Sequence, residues 1–101
     1  MLVDMHGDRL VINWTYDRFG RIGESTCNIF RMSATDEKIP VAQGWAQCGV
    51  NDGVRRGYNK NIARKESLRR AMFFESPTFA LNKSGRKQVW LAYFKMRNGK
   101  W

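Results

Sequence analysis

A chain of 101 residues holds one compact domain and not two, and the whole span 1–101 reads as a single small basic domain. Its 43% hydrophobic and 13% aromatic content excludes a disordered chain, and two cysteines at this spacing exclude a disulfide scaffold or a zinc module. The formal charge of +9 and a pI near 10.2 favour an anionic partner: nucleic acid, a nucleoprotein, an anionic membrane or an acidic protein.

The charge is unevenly distributed. Residues 1–50 carry five basic and six acidic side chains, whereas residues 51–101 carry thirteen basic and three acidic ones. A merely solvated surface mixes signs, so this asymmetry points to a basic binding face in the second half.

Residues 1–8 read as a flexible lead-in that contains the single histidine, His6. Leu10 to Asp17 alternate, with Leu10, Ile12, Trp14 and Tyr16 on one side, which predicts a half-buried strand. The two glycines in Arg18–Gly23 mark a turn. Ser25–Ser33 is the second strand, and its largest apolar residues, Phe30 and Met32, are expected to face inward. Ala34–Pro40 is a polar hairpin loop, with Pro40 at the start of the next strand, where a missing N–H is tolerated.

Val41–Cys48 is the third strand. Ala42, Gly44, Ala46 and Cys48 put only small residues on one face, which lets a helix approach closely. Trp45 then falls on the opposite face. It is either covered by a neighbouring loop or aromatic, or it is an exposed aromatic anchor for a partner. With Ile29 it would also suit a homodimer face.

A helix is expected from about Tyr58 to Glu75, with Asn51, Asp52, Asn59 or Asn61 as candidate caps and Pro77 as its stop. Gly53 and Gly57 weaken any earlier start, at about 1 kcal/mol each relative to Ala. Tyr58, Ile62, Leu68 and Met72 share one arc, together with Lys65 and Arg69. Arg56, Lys60 and Arg64 step at i, i+4 and i+8, forming a basic stripe on the other side, where Ala63, Ser67 and Arg70 also fall. Phe79 and Leu81 pin the connecting segment 76–82. Residues 83–97 have no polar face as a strand. As a helix they form a stripe of Val89, Trp90, Tyr93, Phe94 and Met96, capped by Asn82 or Ser84 and ended by Asn98–Gly99, so a helix is predicted.

The expected fold is therefore α+β: a three-stranded antiparallel sheet with two helices packed on one face, in the order β-β-β-α-α. The inner layer is expected to hold Leu10, Ile12, Trp14, Phe30, Met32, Ala46 and Cys48 against Ile62, Leu68, Met72, Trp90 and Phe94.

No catalytic constellation emerges. Nucleophilic catalysis needs a nucleophile, a base and an orienting group. His6 is remote, Cys27 and Cys48 read as buried structural thiols, and the basic half offers only Asp52, Glu66 and Glu75 as acids. The chain reads as non-catalytic, with no cofactor and no metal. Arg55, Arg56, Lys60, Arg64, Lys65, Arg69 and Arg70 place seven cations in sixteen residues, and Arg86 and Lys87 add to them further on. Such cations bind phosphates without reading sequence, and they also suit acidic protein surfaces. No apolar run approaches membrane-spanning length and no secretory signal opens the chain, so no membrane partner is expected. The expected location is cytoplasmic, with reduced thiols.

From Gly44 onward the residues resemble small proteins encoded by tailed phages and prophages. The pattern is Gly-x-Ala-x-Cys, an Asp, an aromatic and a basic helix of the form Ile-Gly-Arg…Leu-x-Arg-Ala-Leu. It is carried here by Gly44, Ala46, Cys48, Asp52, Tyr58, Ile62, Arg64, Leu68, Arg70, Ala71 and Met72. The chain departs from it with Ala63 in place of Gly, Ser67 in place of Ala, and extra residues between Asp52 and Tyr58. The order of strands followed by a basic helix is also similar in architecture to the double-stranded-RNA-binding domain, without its first helix or its lysine signature. The phage resemblance implies a host-cell cytoplasmic setting, and together with the charge pattern it leaves two functions. One is nucleic-acid binding through the basic helix. The other is inhibition of a host defence nucleoprotein complex through the same face, as anti-CRISPR proteins do.

Overall fold

The computed structural model describes residues 1–5, 7–19, 22–48 and 60–99. The fold is α+β. Strands β1 (Leu2–Met5), β2 (Asp8–Phe19), β3 (Ile22–Met32) and β4 (Lys38–Cys48) form one antiparallel sheet in chain order. Helices α1 (Lys60–Met72) and α2 (Lys83–Asn98) contribute to a single core with one face of that sheet.

The sheet has four strands where the sequence predicts three. Residues 2–5 are not a loose lead-in but pair with β2, and Val3 sits opposite Leu10, with both side chains buried. Asp4 faces outward and accepts from the Arg9 Nε–H across 2.8 Å. A four-residue strand with one inward apolar side chain carries too little period-two signal to separate from a tail. His6 lies outside the described residues.

The faces of β2 and β4 are as expected. Leu10 and Ile12 are buried, Trp14 is half-buried beside them, and Ala42, Gly44 and Ala46 line the inner face of β4. The face of β3 is reversed. Ile12 pairs with Ile29, Trp14 with Cys27 and Tyr16 with Ser25, so Ser25, Cys27 and Ile29 point inward while Phe30 falls on the outer face. The cause is the closeness of α1. A side chain at Gly44 would collide with the Ser67 carbonyl and the Ala71 amide of that helix. Beneath a backbone held so close, small side chains fit and a phenyl ring does not. Ile29, expected beside Trp45 in a dimer face, is a core residue instead.

Helix α1 is rotated from the orientation its apolar arc predicts. It packs through Ala63, Ser67 and Ala71, one turn apart each, flanked by Arg64, Leu68 and Met72. Ile62 is 49% exposed. The Ser25 and Ser67 hydroxyls meet at 3.2 Å in the interior, and Ser67 also donates to the Arg64 carbonyl across 3.0 Å. The helix ends at Met72, short of Glu75. Ser76 and Phe79 then pair across the Pro77–Thr78 corner, which buries Phe79. Tyr58 and the candidate caps Asn51, Asp52 and Asn59 lie outside the described residues, and Asn61 is inside the helix rather than before it.

Helix α2 forms where it is predicted, but Phe94 and Met96 of its apolar stripe are exposed, so Phe94 is not in the inner layer where it is expected. Asn82 caps it by accepting from the Gly85 N–H across 2.7 Å, and it ends at Gly99. Val89 and Tyr93 are buried, Trp90 is half-buried, and Phe94 is 39% exposed. At the β4 edge, the register with β3 shifts at Ile29/Phe30, so that Phe30 pairs with Pro40 and Ile29 with Ala42. The Trp45 carbonyl accepts from the Arg70 guanidinium across 2.6 Å.

Candidate nucleic-acid interface

The outward surface of the helical layer carries the cations. On α1, Lys65, Arg69 and Arg70 are exposed; on α2, Lys83, Lys87, Lys95 and Arg97 are exposed and Arg86 is half-buried. Glu66 is the one acid in either helix, and it is paired with Arg69 at 2.9 Å. The opposite face of the sheet differs in character. It presents Asn13, Thr15, Gln43 and Gln47, Asp17 opposite Glu24, Arg9 paired with Asp4, and Lys38 over Phe30, so charge there is mixed where the helical layer is almost wholly basic.

Arg64 does not belong to this surface. It is 7% exposed, its Nε–H donates to the Tyr16 hydroxyl across 2.7 Å, and its guanidinium lies 5.6 Å from the Tyr16 ring centroid and 6.0 Å from that of Trp14. The Trp14 indole N–H donates to the Arg64 carbonyl across 3.1 Å. The stripe predicted through Arg56, Lys60 and Arg64 therefore runs into the sheet at its described end, because the helix turns its small residues inward and carries Arg64 with them. Arg55 and Arg56 lie outside the described residues, as does the side chain of Lys60, which opens α1. Of the other predicted residues, Lys65 and Arg69 on α1 and Arg86 and Lys87 on α2 lie in the same helical layer, and Lys65 and Arg86 each reach a ring beyond their own helix. Arg70 stands apart at the β4 edge.

Two contacts fix how the helices meet. Lys65 Nζ lies 5.6 Å from the Phe94 ring centroid, and the Arg86 guanidinium lies 4.5 Å from that of Phe73. The middle of α1 thus faces the end of α2, and the end of α1 faces the start of α2, so the helices run antiparallel. Along their seam, cations alternate with aromatic rings. Phe94 stacks on Trp90 with centroids 5.8 Å apart and an interplanar angle of 25°, and Trp90 meets the buried Tyr93 edge-on at 5.6 Å. Phe73 is 57% exposed.

Phe73 and Phe94 were not among the predicted site residues. A signal for them exists in α2, where Arg86, Trp90 and Phe94 recur every four residues and so share one stripe of the helix. Trp45, the predicted aromatic anchor, is 46% exposed but stands on the outer face of the sheet, away from the helical cations.

Chemistry elsewhere is limited. Burial pushes the Cys27 thiol up to about 12, so it stays protonated and is a poor nucleophile near neutral pH. Among the described residues, no three His, Cys, Asp or Glu side chains are placed to hold a metal ion. An open groove of about 840 Å³ between β1 and the start of α2 contains Asp4 and Asp8. Both carboxylates are already engaged, with Arg9 at 2.8 Å and Arg31 at 3.1 Å. Among the described residues, no helix is long and apolar enough to cross a membrane. Comparison with family models, curated proteins and solved structures gives no match.

Proposed function

We propose that this chain is a non-catalytic, phage-type nucleic-acid-binding protein that meets its ligand with the outward surface of α1 and α2. The observation that carries the reading is the segregation of charge. Lys65, Arg69, Lys83, Lys87 and Arg97 share the helical layer with one acid, while the outer sheet face mixes amides and hydroxyls with Asp4, Asp17 and Glu24 and the cations Arg9 and Lys38. A polyanion is drawn to one side of such a molecule, and its affinity falls as salt rises because each neutralised phosphate releases counterions. The test is binding of labelled DNA and RNA by fluorescence anisotropy across a salt series. Lys65→Glu combined with Arg69→Glu is expected to weaken binding by at least about tenfold and flatten the salt slope. Unchanged binding in that variant would end the proposal.

A second reading has its own support. Ile62 and Leu91 are exposed apolar side chains on the same helical layer, a composition that also suits a protein surface. On this reading the chain inhibits a host defence nucleoprotein complex, in the manner of an anti-CRISPR protein. A protein partner recovered from bacterial lysate after nuclease treatment would favour it over direct nucleic-acid binding.

A further inference from the structure

We infer that the α1–α2 seam takes single-stranded nucleic acid, with unpaired bases stacking on Phe94 and Phe73 while Lys65, Arg69 and Lys87 hold the backbone. The inference rests on the nucleic-acid reading above and specifies which strand form the site selects.

Duplex and single strand make different demands. A duplex keeps its bases stacked inside and offers phosphates at its surface, so cations alone serve it and exposed rings contribute little. A single strand exposes the faces of its bases, and ring platforms between cations bind them without regard to sequence. The seam has the second composition. Phe94 is backed by Trp90 in near-parallel stacking, with its edge against Tyr93 at 5.4 Å, so the ring is held in place while remaining 39% exposed. Lys65 Nζ lies over that ring, 5.6 Å from its centroid, and a base that stacks there displaces the ammonium toward the neighbouring phosphate. Phe73 likewise has a cation over its ring, the Arg86 guanidinium at 4.5 Å. Positions 86 and 94 are about 12 Å apart at 1.5 Å per residue, so the platforms serve separate bases of one strand.

The experiment compares a short labelled oligothymidine, the matching oligouridine and a duplex of equal length at one ionic strength. Anisotropy gives affinity, and quenching of tryptophan emission reports a base arriving beside Trp90. The expected result is single-strand binding about tenfold or more tighter than duplex binding, with quenching by the single strands. Phe94→Leu and Phe73→Leu keep an apolar side chain at a partly exposed position but remove the ring. Each is expected to lower single-strand affinity several-fold and leave duplex affinity and salt slope unchanged, with folding checked by circular dichroism. Equal affinity for strand and duplex, with both variants silent, overturns the inference and leaves a phosphate-binding surface. Absence of binding to every nucleic acid overturns both the inference and the reading beneath it.

Discussion

Arg64 donates its Nε–H to the Tyr16 hydroxyl across 2.7 Å, and this bond joins the middle of α1 to the far end of β2. The guanidinium lies against the rings of Tyr16 and Trp14. Arg64→Ala removes a charge-assisted hydrogen bond and two ring contacts, so it is expected to lower stability by about 2 kcal/mol. Nucleic-acid affinity per folded molecule should stay within about twofold, in contrast to Lys65→Glu with Arg69→Glu, since a lost surface phosphate contact, and not a buried side chain, sets that affinity. Urea denaturation and anisotropy on the same preparations check both halves.

Gly44→Ala tests the close approach of α1 to the sheet. The added methyl would meet backbone atoms of Ser67 and Ala71, which cannot rotate away as a side chain can. Overpacking of this kind costs about 1–3 kcal/mol, and rigid neighbours put it at the upper end. A melting temperature within a degree or so of the parent would show that α1 yields freely.

The Ser25–Ser67 pair gives an asymmetric expectation. Ser67 donates to the Arg64 carbonyl, so the proton between the two hydroxyls comes from Ser25. Ser25→Ala leaves the Ser67 donor satisfied and is expected to cost about 1 kcal/mol. Ser67→Ala strands the Ser25 proton in a buried site and is expected to cost more, toward about 3 kcal/mol. Chemical denaturation of both variants decides the order, and a reversed order would refute this assignment of donors.

Cys27 predicts a response to alkaline pH. Its folded-state value of about 12 lies above the usual thiol value near 9, because burial disfavours the thiolate. Above that usual value the unfolded chain releases its thiol proton and the folded chain does not. Stability is therefore lost as pH rises from about 9, by up to about 1.4 kcal/mol per pH unit from this group. In a Cys48→Ser background, the stability difference between the parent and Cys27→Ala should shrink between about pH 8 and pH 10. Thiol reagents should modify Cys27 only at the rate of unfolding.

Much of the fold is legible where one period dominates. The alternation from Leu10 to Tyr16 and the small residues from Ala42 to Ala46 give the faces of β2 and β4. Asn82 and Gly99 bound α2 as the sequence indicates. The reversed face of β3 and the rotation of α1 share one physical cause, the weighting of bulk. Phe30 and Ile62 are the residues the sequence puts inside, because larger apolar side chains usually gain most from burial. Here the absence of a side chain at Gly44 draws the α1 backbone down, and Ala63, Ser67 and Ala71 gain more by contact than Ile62 would by burial. Their partners lie more than twenty residues away, beyond the reach of a helical arc. Arg64 was assigned to the surface for the same reason, since Trp14 and Tyr16 are 50 and 48 residues distant in the chain. Lys65, Arg69 and Lys87 were legible as exposed cations. The rings of Phe73 and Phe94 beside them depend on how two helices meet.

The β4 edge has a consequence for crowded conditions. An open edge strand is a template on which another chain can add a strand. Along this one, Pro40 has no N–H to offer, the ladder slips at Ile29/Phe30, and the Trp45 carbonyl is already occupied by Arg70. An arriving strand meets a missing donor, a bend and a taken acceptor. Growth by strand recruitment is discouraged at the edge next to Trp45, so the protein can accumulate without seeding fibres from that side.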